Sequence, residues 1–243
     1  MKIALIGRGR LATNLLPALQ QAGHQVVSVN SRTLSELPAE ADVFVISVKD
    51  AALDEVIARA TKGREQQLFV HTAGSMPMDV FRDHCRHYGV FYPMQTFSKE
   101  RLVDFRDISL FLEASDAASL TVLDDLAQSL SPHVFHLSST DRKHLHLAAV
   151  FACNFVNHCY DLASEVLQRK GLPFDVLLPL IDETARKVHS LSPREAQTGP
   201  AVRYDENVIR MQSEMLSHAP LTRELYDRMS LSIHQKQEEH DQL

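Results

Sequence analysis

The sequence predicts an α/β fold: a doubly wound, mostly parallel sheet followed by an all-α segment. Three observations carry this. Short apolar runs rich in β-branched residues alternate with helical patterns through the first half of the chain. The first run passes through a glycine-rich turn directly into a helix and then a second run. After Leu137 the strand-like runs stop and helical periodicity takes over. The expected division is 1–138 for the sheet domain and 139–243 for the helical one.

Ile3–Ile6 is the first strand. Leu11, Leu15, Leu16 and Leu19 mark one face of a helix that stops at Gly23, and Val26–Val29 is the second strand. Thr33–Ala41 is a short polar crossover broken by Pro38. Asp42–Val48 is a continuous apolar run, hence a buried strand. Lys49 and Asp50 open a helix to about Ala60 with Leu53, Val56 and Ile57 on one side. Leu68–Thr72 is the next strand; it leads through Ala73-Gly74-Ser75 to a short helix near Met78–His87. Gly89–Tyr92 is a strand stopped by Pro93. Ile108–Glu113 and Val134–Leu137 complete the sheet around a helix from Ala117 to Leu130. Ser138–Asp141 offer N-caps for a helical pattern of about thirty residues ending at Gly171. Further helices follow over about Phe174–Ser190, Tyr204–Leu216 and Pro220–Lys236, with Pro179 starting, bending or interrupting the first. Ser192–Arg203 is turn-rich and longer than a connector needs. Glu238–Leu243 reads as a frayed tail.

The first turn reads Gly7-Arg8-Gly9-Arg10-Leu11-Ala12. Gly7 permits the tight exit from the strand, Gly9 lets a pyrophosphate approach the backbone, and small Ala12 lets helix and strand pack closely. The free N–H groups and positive dipole end of the helix then face the phosphates. Where NAD-binding sites carry a carboxylate for the ribose 2′-OH, this chain has Asn30-Ser31-Arg32-Thr33. Arg32 can bind a 2′-phosphate with a charged fork, and Ser31 and Thr33 can add hydroxyls; the cofactor expected is NADP. Ligands on such sheets lie beyond the carboxyl ends of the strands, which adds Val48 and Lys49, and Ala73 and Gly74, to the cofactor contacts Gly7, Arg8, Gly9, Arg10, Leu11, Ala12, Ser31 and Arg32.

Several classes are set aside. Net charge is −6 with both signs mixed, and no basic run points to nucleic acid. No apolar stretch approaches a membrane span or a signal-peptide core, so a cytoplasmic protein is expected. Cys85, Cys153 and Cys159 are odd in number and scattered, which reads as reduced thiols. His144 and His146 point to opposite sides of a helix, so no metal site is expected.

Four stretches carry a family resemblance: His71-Thr72-Ala73-Gly74-Ser75, Tyr92-Pro93-Met94-Gln95-Thr96-Phe97, His146–Phe151 with Asn154, and Gln197–Asp205. The architecture resembles the 6-phosphogluconate dehydrogenase-type reductases, which include pyrroline-5-carboxylate reductase, ketopantoate reductase and deazaflavin-dependent NADP reductases. These join an N-terminal Rossmann domain to an all-helical one. The motifs are most similar to a bacterial group of candidate NADP oxidoreductases that has no settled substrate. The last motif of that group ends Arg-Gly-Asp; here Tyr204 replaces the glycine.

The resemblance implies hydride transfer between NADP and a small polar carbonyl, imine or hydroxy compound. The nicotinamide is then expected near Thr72–Ser75 and Pro93–Thr96, with the substrate towards the helical domain. Reduction of a carbonyl or imine needs a proton donor. His146 is the expected donor or substrate anchor, with Lys143 and Asn154 as orienting groups, since i, i+3 and two-turn spacings can share a helix face. The structural alternative is that His146 and Asn154 only satisfy packing partners while Lys143 is solvated. A different class also stays open: a dinucleotide-binding sensor or partner-binding protein without turnover. Leu145, Val150, Phe151, Phe155 and Val156 make the long helix apolar on more than one side, so a homodimer through the helical domain is expected.

Overall fold

The computed structural model describes residues 1–241 of the chain. Seven strands form one sheet: β1 (Lys2–Ile6), β2 (Gln25–Val29), β3 (Val43–Ile46), β4 (Leu68–His71), β5 (His87–Met94), β6 (Ser109–Ala114) and β7 (Val134–His136). Their order is β2-β1-β3-β4-β5-β6-β7. All neighbours run parallel except β5 and β6, which are antiparallel. The order reverses between β1 and β3, so the crevice at a doubly wound sheet's switch point lies past Ile6 and Ile46.

Alternation along β1 builds both layers. Ile3 and Leu5 enter one core with Leu15 and Leu19 of α1 (Arg10–Gln21) and with Leu123 and Leu126 of α3 (Ala117–Gln128). Ala4 and Ile6 enter the other with Phe44, Phe69 and the Val56 and Ile57 face of α2 (Leu53–Ala60). Each large apolar side chain so buried contributes about 1.5–3 kcal/mol.

Three local readings need correction. The segment after Pro77 forms only a 3-10 turn, Met78–Phe81, not a helix to His87. Phe81 and Cys85 both reach the core across the turn closed by Cys85 N–H donating to Phe81 O, and the chain then enters β5. Second, β5 runs through Pro93 to Met94. Here β4 has already ended opposite Val90, so the proline's missing N–H has no β4 carbonyl to meet. Third, the long helix is not continuous α. It comprises α4 (Ser139–Ala149), a π-helical turn (Val150–Phe155) and α5 (Val156–Gln168).

The chain divides into two compact units, Met1–Asn154 and Phe155 onward. The first therefore extends beyond the sheet, past the change of pattern at Ser138, to include α4. The second contains α5, α6 (Leu178–Lys187), α7 (Glu206–Met215) and α8 (Pro220–Asp241). Pro179 sits in the first turn of α6, where its missing N–H breaks no helical bond. Within this unit Lys187 Nζ donates to Ala196 O at 2.9 Å and Arg194 donates to Lys236 O, which ties down the 192–203 stretch. Tyr204, at the glycine position of the motif, has φ +49° and stacks on His234 with ring centroids 4.1 Å apart. The tyrosine thus keeps the left-handed backbone a glycine would supply, at a cost of about 1–2 kcal/mol. The helix α8 continues through much of the expected frayed tail; Gln242 and Leu243 lie outside the described residues. Among the described residues no helix is long and apolar enough to cross a membrane, and no group of His, Cys, Asp or Glu is arranged to hold a metal.

Candidate active site

The glycine turn is built by β1, β3 and α1. Gly7 has φ +128°, and a Cβ there would lie 2.0 Å from Ser47 O. Only glycine lets β1 turn this close to the end of β3. Gly9 is the N-cap of α1 and no side chain caps the helix; the first turn carries no acidic residue. A Cβ built on Gly9 meets nothing within 4 Å, so the backbone faces open space. Uncapped N–H groups at the start of a 12-residue helix need an acceptor, which is the chemistry of an anion site. Arg8 and Arg10 flank this opening and are exposed; Leu11 and Ala12 turn into the core.

The loop after β2 is held from both sides. Arg32 N–H donates to Asn30 Oδ1 at 3.0 Å, an Asx turn. Arg59 Nη2 donates to Arg32 O at 2.8 Å and its Nη1 pairs with Glu55. The Arg32 side chain is exposed beside a half-buried Ser31. In the sequence Arg59 carries no mark of this role beyond its i, i+4 spacing from Glu55. Val48 is half-buried and Lys49 exposed at the exit of β3.

The opposite end is organised by a buried ion pair absent from the sequence reading. Arg142 is 1% exposed and donates from Nη1 to Glu113 Oε2 at 2.5 Å. Its Nη2 donates to Met76 O at 2.6 Å. Glu113 also accepts from the backbone N–H and hydroxyl of Ser139. One carboxylate on β6 thereby fixes the start of α4, and the arginine it holds fixes the loop after β4. Ser138 caps α4 by accepting from Asp141 N–H, as its position predicts.

His71 stabilises the same loop. Its Nε2 donates to Pro77 O at 3.2 Å and its Nδ1 accepts from Ala73 N–H at 3.1 Å. This pattern needs the neutral ring, and burial lowers its pKa to about 4. Ser75 donates to Asp50, joining the loops after β4 and β3.

One turn beyond Arg142, His146 comes against β5. Its Nδ1 lies 3.1 Å from the Tyr92 hydroxyl, and the two rings meet edge to face. Burial raises the Tyr92 phenol pKa, so the hydroxyl stays protonated. A Cβ on Gly74 would lie 2.6 Å from His146 Nδ1 and 2.9 Å from Tyr92 Cζ. Ala73 and Gly74 are thus placed at the end of β4, with Gly74 packed under this pair. Lys143 and Asn154 are exposed and are not brought into the cluster. In continuous α-helix, eight residues overshoot two full turns by about 80°. The wider π turn rotates less per residue and returns Asn154 towards the azimuth of His146. In the sequence Tyr92 ends an apolar strand and opens the Tyr92–Phe97 motif, but no pattern there pairs it with His146.

An open parallel sheet with an uncapped glycine turn at its switch point, followed by helices, defines the Rossmann-like oxidoreductase architecture. The chain belongs to the family of the domain of unknown function DUF2520, whose profile matches residues 108–233. It is similar to a candidate NADP oxidoreductase of Bacteroides fragilis, with 49% identity, a TM-score of 0.92 and coverage of 96% of this chain and 98% of that one. A Thermotoga maritima protein matches at 20% identity and TM-score 0.70 over 98% of this chain and 99% of that one. The fold also matches Plasmodium falciparum pyrroline carboxylate reductase, crystallised with NADP bound, at 11% identity and TM-score 0.63 over 96% of this chain and 98% of that one. No curated protein matches the chain.

Proposed function

We propose that this chain is an NADP(H)-dependent oxidoreductase that transfers a hydride between the nicotinamide and a small polar carbonyl, imine or hydroxy compound. The observation that carries the reading is the uncapped start of α1 behind Gly7 and Gly9, with no acidic side chain in its first turn. The similarity to a candidate NADP oxidoreductase at 49% identity supports the same cofactor. Gly7, Arg8, Gly9, Arg10, Leu11 and Ala12 hold the pyrophosphate. Ser31 and Arg32 hold the 2′-phosphate, with the Arg32 backbone braced by Arg59. Val48, Lys49, Ala73 and Gly74 border the cofactor along the strand ends.

Bound NADPH supplies the hydride to an electrophilic carbon. The chain must then bind the substrate heteroatom and deliver a proton to it. His146 is the donor or anchor, supported by its contact with Tyr92 and Gly74. Lys143 and Asn154 orient the substrate from the same helical stretch. The working form is a homodimer through the helical unit, where Val176, Leu180 and Leu221 stand exposed on one chain.

The test is NADPH oxidation against a panel of small carbonyl and imine compounds. His146→Ala abolishes turnover while its NADPH Kd stays within about threefold of wild type, because a residue remote from the phosphates adds little cofactor affinity. Normal turnover by this variant sinks the assignment of His146. Failure of the wild-type chain to turn over any compound while binding NADPH tightly supports the sensor reading instead.

A further inference from the structure

We infer that Tyr92 is a positioning residue that reserves Nδ1 of His146 and leaves Nε2 as the nitrogen that meets the substrate, and that Gly74 lacks a side chain to make room for this pair. The inference rests on the reading of His146 as the substrate-facing group.

The geometry is specific to one ring nitrogen. Tyr92 OH lies 3.1 Å from Nδ1, the ring nitrogen that this hydrogen bond occupies, while within the described residues of the first unit Nε2 makes no hydrogen bond. A phenol hydroxyl both donates and accepts. It donates to a bare Nδ1 and accepts from a protonated one, so Tyr92 partners the same nitrogen in either charge state of the ring. A phenol is a stronger donor than acceptor, so in the neutral ring the contact favours a bare Nδ1 and hydrogen on Nε2. Tyr92 itself is held in place by strand pairing to Phe111 and by packing against that ring, at a centroid distance of 6.3 Å. His146 is held by its helix, which Arg142 locks to Glu113 and Met76 one turn earlier. Both partners therefore stand on rigid elements, which is what orienting a reactive group within a few tenths of an ångström needs.

Gly74 gives the second, independent observation. Its φ is not in the left-handed region, so no backbone angle demands glycine. What demands it is space: a methyl there would collide with His146 Nδ1 and Tyr92 Cζ, the two groups of the hydrogen bond. The space this pair takes accounts for a glycine here by itself, on the same strand end that borders the proposed cofactor.

The test needs no substrate. Two-bond 15N–1H correlation spectra of the ligand-free, 15N-labelled protein at a pH where the ring is neutral report the tautomer of His146, assigned by its loss in His146→Gln. Wild type is expected to show the Nε2–H pattern. Tyr92→Phe, which keeps the ring and its packing, is expected to raise the Nδ1–H share at least twofold. Gly74→Ala is expected to change the same signals. An Nδ1–H pattern in wild type overturns the inference even if neither variant folds, and so does a folded Tyr92→Phe with the wild-type pattern. NADPH titration of wild type is run beside it: absent cofactor binding defeats the oxidoreductase reading, whereas an unchanged tautomer defeats only the pair.

Discussion

In the first unit Leu5, Phe44, Phe69 and Ile57 have no measurable exposure, and both faces of the sheet are covered. In the second, among the described residues, only Ala201, Ser213 and Ser230 are buried, while Val176, Leu180 and Leu221 are 58%, 63% and 71% exposed. The second stretch is somewhat less apolar in sequence yet still carries many large apolar side chains, so composition alone does not explain the difference. Topology does. A sheet buries alternate residues of every strand against helices of the same chain. The helices α5 to α7 each carry an apolar face, and in one chain much of it stands exposed. The first unit thus carries its own core, and the second is argued to complete its core with another copy.

Two substitutions break or sharpen that comparison with the largest effects. Phe69→Ala should cost about 3–5 kcal/mol of folding stability, since it empties a fully buried ring site. Leu180→Asp should leave the sheet unit's stability unchanged but weaken self-association by about 2 kcal/mol or more. Denaturant melts report the first. Light scattering reports the second, as a shift from twice 27.4 kDa to a single chain. A wild-type protein that scatters as a monomer at micromolar concentration removes the contrast, because the exposed apolar face would then need no partner.

A smaller effect probes the buried polar network of the first unit. The pKa of His71 is lowered to about 4 in the folded state from 6.5. The unfolded chain therefore takes up the proton first as pH falls. Stability is full above pH 6.5, declines between 6.5 and about 4, and levels below that. At 1.36 kcal/mol per unit the loss is about 3 kcal/mol. Urea midpoints of wild type and His71→Asn across that window measure it; parallel curves for the two proteins would show that His71 is not the source.

The smallest effect falls in the second unit. Tyr204→Gly relieves about 1–2 kcal/mol of left-handed strain and forfeits about 0.5–1.5 kcal/mol of stacking on His234. The net change should lie within about 1 kcal/mol of zero. A thermal melt that moves far in either direction would mean that the ring or the backbone angle alone dominates.

Much of this was legible from residue patterns. The run Ile3–Ile6, the glycine turn and the Leu15 and Leu19 stripe identify the first βαβ unit because its signals are local and periodic. Every strand was found, since each pairs an apolar run with flanking turn residues. The antiparallel placement of β6 was not legible, because strand direction depends on connections rather than on side-chain alternation. Nor was the π turn at Val150–Phe155, which leaves no mark in apolar spacing. The Glu113–Arg142 pair and the Tyr92–His146 contact join residues 29 and 54 positions apart. Such contacts are made by the fold, and a charged residue inside a helical pattern reads as solvated until the structure buries it. His146 was found for its position near the sheet; its partner was not.

The first unit is proposed as an NADP site whose selectivity resides at Arg32. Calorimetric titration of the wild-type chain with NADPH and NADH tests it most directly. The expected result is tighter binding of NADPH by about ten- to a hundred-fold, worth about 1.5–3 kcal/mol, with Arg32→Ala erasing the preference and leaving NADH affinity unchanged. Equal affinity for the two cofactors, or an Arg32→Ala variant that still prefers NADPH, would contradict it.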